Sequence, residues 1–234
     1  MNETEFKAFL VQNKIIFDDT IIKNLAKYCD FLLEYNKKFN LTSITTREEI
    51  YLKHFADSIL LMNYIKFDKE LVDIGTGAGF PGIIIKIFNK NLKLCLIESN
   101  NKKCQFLQEL IKELNLTDVK IINTRAEKYS LKNLDKYEIV VSRAVADLKI
   151  LTELCLPLVK IGGKFIAMKG KTTAEIENSQ KTIQKLNGTI TNIYKYKLPI
   201  VNHDRSIVEI TKKSNTPKGY PRDYSKIIKS YWKS

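Results

Sequence analysis

The chain has 234 residues, 44% hydrophobic and 28% charged, which excludes wholesale disorder and allows a buried core without disulfide or metal staples. Thirty-nine Lys and Arg stand against 26 Asp and Glu, and the resulting +13 attracts polyanions such as nucleic acid or acidic lipid. No run approaches the roughly 18 apolar residues of a membrane span, and the acidic start Met1-Asn2-Glu3-Thr4-Glu5 does not read as a signal peptide.

The first seventy residues read as helical. Ile21, Leu25, Tyr28, Leu32 and Tyr35 recur at spacings of four and three, which predicts a helix over residues 18–37. Asp18 or Asp19 caps its start and Asn40 closes it. A second helix is expected over 47–64, capped by Thr45 or Thr46, with Ile50, Phe55, Ile59 and Met62 turned inward. From Leu71 the pattern changes. Strands over 71–74, 92–97, 119–122, 138–142 and 164–168 are joined, between most of them, by helices over 81–88, 101–114, 147–159 and, after the last, 173–186. Such alternation predicts a parallel sheet covered on both faces. Strands over 190–198 and 207–211 have no helix between them and are expected as an antiparallel edge. Between Thr211 and Ser234 lie seven basic residues and one acid, interleaved with Tyr220, Tyr224, Tyr231 and Trp232, a composition suited to RNA. Cys29, Cys95, Cys104 and Cys155 form no CxxC pair and read as reduced thiols of a cytoplasmic protein without a metal site.

The strongest local signal is Asp73-Ile74-Gly75-Thr76-Gly77-Ala78-Gly79-Phe80-Pro81-Gly82. Glycines directly after a buried strand let the backbone turn sharply and approach a ligand. A dinucleotide site would want a glycine where Phe80 stands, so the tighter GxGxG loop suits an adenosine ligand without a pyrophosphate, such as S-adenosylmethionine. Glu98 ends the next strand about 20 residues on, where an acid accepts from ribose hydroxyls, although it also suits capping the helix at Asn101. Ala126 and Glu127 follow the third strand and are placed to meet an adenine. Arg143 follows the fourth, beside the methyl donor or its acceptor, with the donor's carboxylate, Glu127 or an RNA phosphate as expected partners; an ion pair that only stabilises the fold is the alternative. Lys169 and Lys171 follow the fifth. No Pro-Pro-aromatic motif and no Pro-Cys nucleophile is present, and His54 and His203 have no evident acid–base partner. A site without a general base fits an acceptor with a free lone pair, such as guanine N7.

Asn40-Leu41-Thr42-Ser43, His54-Phe55-Ala56-Asp57-Ser58, the run from Asp73 to Gly82, Arg125-Ala126-Glu127, Ser142-Arg143-Ala144 and Met168-Lys169-Gly170 together resemble the bacterial 16S ribosomal RNA guanine-N7 methyltransferases, also called glucose-inhibited division protein B. The resemblance implies an α/β fold, a Rossmann-like class I S-adenosylmethionine-dependent methyltransferase with a mostly parallel seven-stranded sheet. It implies cofactor contacts at Gly75, Phe80, Ala126, Glu127 and Arg143, with Glu98 near the ribose; Gly77 and Gly79 join them from the loop. It also implies 16S rRNA as partner, within an assembling small subunit, and one guanine of the decoding region as substrate. Lys169, Arg205 and Arg222 are the candidate RNA contacts. The expected organisation is a helical cap over 1–66, a core over 67–212 and a basic tail over 213–234, in a monomer. Another rRNA or tRNA position, or an NAD-dependent oxidoreductase, remain the rival readings. After Tyr220-Pro221-Arg222 the tail reads Asp223-Tyr224-Ser225-Lys226, where many members of that family carry a Gly-Thr-Pro segment.

Overall fold

Seven strands form one sheet in the order β3-β2-β1-β4-β5-β7-β6 in the computed structural model, which describes residues 1–170 and 172–231. The strands are β1 (Glu70–Ile74), β2 (Lys93–Glu98), β3 (Val119–Asn123), β4 (Tyr137–Arg143), β5 (Val159–Lys169), β6 (Gly188–Lys197) and β7 (Asp204–Lys212). The first five pair in parallel, and β7 runs antiparallel to both β5 and β6, as the missing helix predicts. The order reverses between β1 and β4, and in open α/β sheets a crevice forms at that point beyond the strand ends.

Alternate residues of each strand feed two separate cores, because successive side chains point to opposite faces of the sheet. Leu71, Leu94, Leu96, Val141 and Ile166 join one cluster; Val72, Ile74, Cys95, Ile97, Val140 and Phe165 join the other. The first face carries α1 (Glu3–Gln12), α2 (Asp19–Phe39), a composite cap helix, α5 (Gly82–Phe88) and α6 (Asn101–Glu113). The composite helix starts as α3 (Arg47–Glu49), widens to a π-helical segment (Ile50–Ala56), and continues as α4 (Asp57–Leu60). The second face carries α7 (Ala126–Leu131), α8 (Leu148–Cys155), α9 (Thr173–Lys185) and α10 (Tyr224–Tyr231). Asp18 caps α2 by accepting from Ile21 N, Asn40 closes it in the left-handed region at φ 48°, and Thr46 caps α3.

Two expectations are corrected here. β5 begins at Val159, before the expected strand over 164–168, so Gly162 and Gly163 lie inside it, and a bulge between β4 and β5 marks their place. The basic tail is a folded element. Ile227 is buried, and Tyr220, Tyr224 and Tyr231 pack against the second core, so these aromatics are committed to the protein; Trp232 and Lys233 lie outside the described residues. Lys212 is wholly buried and its ammonium donates to Leu156 O, Thr216 Oγ1 and Asp135, one acceptor for each of its three protons. Arg222, expected on RNA, grips buried Glu153 through two parallel bonds of 2.7 and 2.5 Å, and its backbone N–H donates to the same carboxylate.

Removing one partner of such a pair leaves a carboxylate buried without its counter-charge. Arg222→Ala is therefore expected to destabilise the fold by about 2–3 kcal/mol in urea unfolding, and Arg222→Lys to restore only part of it because an ammonium cannot bridge both oxygens. Wild-type stability in Arg222→Ala would free this residue for RNA.

Candidate functional site

The glycine loop is fixed from below by β1 and from the side by β2. Asp73 is fully buried at the end of β1, and its Oδ2 accepts from Thr76 Oγ1 (2.8 Å) and Gly82 N (2.9 Å). Gly75 N and Thr76 N donate to Ile97 O of β2. Gly77 has φ +62° and its missing Cβ would meet only Gly75 O at 4.0 Å, so this position faces open space. The Gly77 N–H donates to Glu98 Oε2 (3.0 Å), and Glu98 Oε1 accepts from Asn100 N, one residue before α6. Glu98 thus faces the loop and holds the residue before α6, while the cap of that helix is Asn100, whose side chain accepts from Lys103 N, rather than Glu98. Gly79 serves packing, since a Cβ there would lie 2.7 Å from Ile83 and from the Tyr28 hydroxyl.

A cavity of about 220 Å³ opens beside this loop, lined by Gly75, Glu98, Ser99, Ala126, Glu127 and Val145 among others. Four of the expected cofactor residues meet there: Gly75, Glu98, Ala126 and Glu127. Arg125 Nε donates to Glu127 Oε1 (2.8 Å) and orients that carboxylate, a partnership the sequence did not suggest. Tyr224 of the C-terminal helix also lines the cavity, and nothing in the spacing of the motifs pointed to it.

Phe80 and Arg143 are placed elsewhere. Phe80 is 4% exposed and lies between the rings of Tyr28 (centroids 5.3 Å, 9°) and His54 (4.3 Å, 16°), with the Arg143 guanidinium 5.1 Å from its centre. Arg143 does not pair with Glu127, whose carboxylate is held by Arg125. Its guanidinium donates to Lys53 O (3.1 Å), Asp57 Oδ2 (3.1 Å) and His54 Nδ1 (2.8 Å). All three partners sit on the composite cap helix, whose π-helical segment the sequence pattern could not reveal; π segments recur at functional sites. The other Asp57 oxygen accepts from Tyr196 Oη (2.9 Å) and lies 3.5 Å from Arg205 Nε.

A second cavity, of about 250 Å³, opens over this network and is lined by Lys53, His54, Asp57, Arg143, Met168, Lys169 and Arg205. Two expected RNA residues, Lys169 and Arg205, are therefore at its wall; Lys169 is held by Glu175 (2.7 Å) and Ala146 O. Lys171 lies outside the described residues. The two cavities are neighbours separated by three consecutive residues. Arg143 and Ala144 face one, Val145 faces the other, and Ala144 holds a left-handed φ of 54° that non-glycine residues adopt mainly under constraint. Among the described residues no cluster could hold a metal ion, and no helix is long and apolar enough to cross a membrane.

With this geometry in place, comparison with known proteins decides the family. Residues 21–208 match the family described as rRNA small subunit methyltransferase G. The chain belongs to that family. It is 42% identical to ribosomal RNA small subunit methyltransferase G of Ligilactobacillus salivarius, over 98% of this chain and 99% of that protein. With the protein of the same name from Acetivibrio thermocellus the identity is 46%, over 91% and 89%. Solved structures share the fold: M. jannaschii TYW2 in complex with AdoMet superposes with a TM-score of 0.55 at 16% identity, covering 67% of this chain and 74% of that one. A precorrin-6y C5,15-methyltransferase from Geobacter metallireducens gives 0.50 at 13% identity, covering 72% and 90%. The Rossmann-like methyltransferase fold expected from the sequence is thereby established, and the oxidoreductase rival falls away.

Protonation inside the network follows from its donors. A guanidinium only donates, so His54 Nδ1 accepts, and the ring proton sits on Nε2, which faces Thr42 Oγ1 at 3.1 Å. Burial, helped by the charges of Arg143 and Lys53, lowers the His54 pKa to about 2, so the ring is neutral. Burial raises the Asp73 carboxyl to about 7 against the pull of its Thr76 and Gly82 bonds.

These two groups load the stability–pH profile in opposite directions. Between pH 3.8 and 6.5 unfolding lets His54 take up a proton, so stability rises with pH; over the same window unfolding makes Asp73 lose one, so stability falls with pH. Each slope reaches about 1.4 kcal/mol per pH unit. Urea unfolding across this window should therefore show a shallow profile for the wild type, a rising one for Asp73→Asn and a falling one for His54→Gln. Parallel profiles for all three proteins would refute the assignment.

Proposed function

We propose that this chain transfers the methyl group of S-adenosylmethionine to N7 of one guanine in 16S rRNA, with the loop-side cavity holding the donor and the Arg143-side cavity receiving the base. One observation carries the reading: two adjoining cavities of opposite character meet at the crevice between β1 and β4. The loop-side cavity has the carboxylates of Glu98 and Glu127 against the cation of Arg125, and the other has Lys53, Arg143, Lys169 and Arg205 against the carboxylate of Asp57 at its wall. Carboxylates suit a cationic donor, and guanidinium and ammonium groups suit a phosphate backbone.

The donor cavity fits its ligand on the protein's own terms. Open space faces the missing Cβ of Gly77, where the backbone can approach a nucleoside closely, and the Glu98 carboxylate is already turned to the loop. Gly75, Glu98, Ala126 and Glu127 would hold the donor, with Glu98 at the ribose. When bound, S-adenosylmethionine supplies an electrophilic methyl group on a sulfonium. The protein's part is then to align donor and acceptor, and alignment alone can supply several kcal/mol of a displacement barrier.

Among the described residues at this cavity His54 is a poor general base: both of its nitrogens are engaged, and a pKa of about 2 leaves it little tendency to take a proton near pH 7. Guanine N7 has a lone pair and loses no proton when methylated, so no base is required. A methylation at an amino or hydroxyl group would need one. The enzyme acts in the cytoplasm, as a monomer, on RNA of an assembling small subunit; Lys169 and Arg205 guide the strand.

Mass mapping of 16S rRNA from cells with and without this protein tests the reading directly: one guanine of the decoding region should lose a methyl group and no tRNA should change. In the purified protein, Glu98→Gln removes the charge from the group placed at the ribose. Calorimetry should show donor affinity down about tenfold or more, with RNA affinity unaltered. Methylation of a different nucleotide, or unchanged donor affinity in Glu98→Gln, would overturn it.

A further inference from the structure

One wall of the donor cavity comes from the far end of the chain. Tyr224 is the first residue of α10 and lines the cavity together with Glu98 and Glu127. The Arg125 guanidinium lies over its ring, 4.3 Å from the centroid, while Arg125 Nε holds Glu127 Oε1. Tail, cation and adenine-side carboxylate thus form one continuous contact. Such a stack is a favourable cation–π arrangement, and a half-buried aromatic ring at a nucleoside cavity is a surface on which a purine can stack.

The ring is held in place by contacts that do not involve the cavity. Arg222, two residues earlier, is clamped to Glu153 of α8, and Ile227, three residues later, is buried in the second core. Lys226 and Lys229, on the same helix, are exposed. The helix therefore has one face committed to the core and cavity and another left to solvent.

We propose that Tyr224 is a donor-binding residue and that α10 is a wall of the nucleoside site, so that donor binding and docking of this helix stabilise each other. The inference rests on the loop-side cavity being the donor site. It gives the C-terminal segment a role toward the adenosine part of the ligand, independent of RNA. Linkage requires reciprocity: what donor binding adds to helix docking, helix docking adds to donor affinity.

The test uses S-adenosylhomocysteine, the demethylated product, so that no turnover is involved. Calorimetry compares the wild type with Tyr224→Leu, Tyr224→Phe, Lys226→Ala and Glu98→Gln, and hydrogen exchange follows residues 224–231 of the unmodified protein with and without the product. Expected are about tenfold weaker binding in Tyr224→Leu, near wild-type binding in Tyr224→Phe and Lys226→Ala, and slower exchange across α10 when the product is bound. Wild-type affinity in Tyr224→Leu, or exchange in α10 indifferent to the product, overturns the proposal while Glu98→Gln still weakens binding. If Glu98→Gln binds as tightly as the wild type, the donor-site reading itself fails and this inference with it. Should Tyr224→Leu not fold, the exchange measurement on the intact protein decides alone.

Discussion

The Asp57 carboxylate is where the helical cap, the centre of the sheet and its antiparallel edge are joined. It belongs to α4, and it is reached by Arg143 from the end of β4, Tyr196 from β6 and Arg205 from β7. With Asp57 5% exposed and the Arg143 side chain 12% exposed, neither ion keeps its full hydration, so each depends on the other and on the hydrogen bonds around them. Removing either one strands a buried charge. The network therefore fixes the separation between cap and sheet, and with it the shape of the cavity above Met168 and Lys169.

The aromatic stack follows from the same constraint. Phe80 ends the glycine loop, and it is clasped between Tyr28 of α2 and His54 of the π-helical segment, with Arg143 alongside. The Tyr28 hydroxyl donates to the Ala78 carbonyl, so the cap holds the loop by ring and by hydrogen bond at once. A loop of glycines is entropically expensive to order. Here the ordering comes from neighbours on every side: Asp73 beneath, Glu98 beside, and the cap above. The loop-side cavity is accordingly preformed, and of these ordering groups Glu98 is the one that also lines it.

Much of this was legible in the sequence, and the reason differs from part to part. The helix at residues 19–39 and the strand–helix alternation followed from apolar spacing, which reports burial and burial alone. The antiparallel edge followed from a missing helix. The loop and Glu98 were legible because glycine after a strand and an acid after the next strand have few other uses. What stayed hidden depended on long-range contact. Nothing local distinguishes an Arg143 that meets a ligand from one that meets Asp57, 86 residues away in the chain. The π-helical widening at Ile50–Ala56 leaves no mark on a pattern of 3.6-residue period. The helix at Tyr224–Tyr231 was obscured by its charge, because lysines on its outer face concealed the buried stripe of Ile227 and the tyrosines packed on the second core.

That last case bears on what a net charge of +13 means for this protein. Several of the cations that composition would assign to RNA are already neutralised. Lys212 is internal, Arg222 belongs to Glu153, and Lys169 to Glu175. Composition counts charges, but attraction to RNA depends on where unneutralised field reaches the surface. The paired cations at the Arg143-side cavity differ from a free lysine patch in one respect: their geometry is fixed by the fold. A flexible lysine attracts any phosphate in reach, whereas a guanidinium locked in a carboxylate network can accept a strand only along the path its remaining donors allow. Lys226 and Lys229 are exposed, whereas Arg143, Lys169 and Arg205 at the crevice between β4 and the cap are held beside carboxylates. That division fits an enzyme that must capture a large polyanion and yet present a single atom of it to the donor.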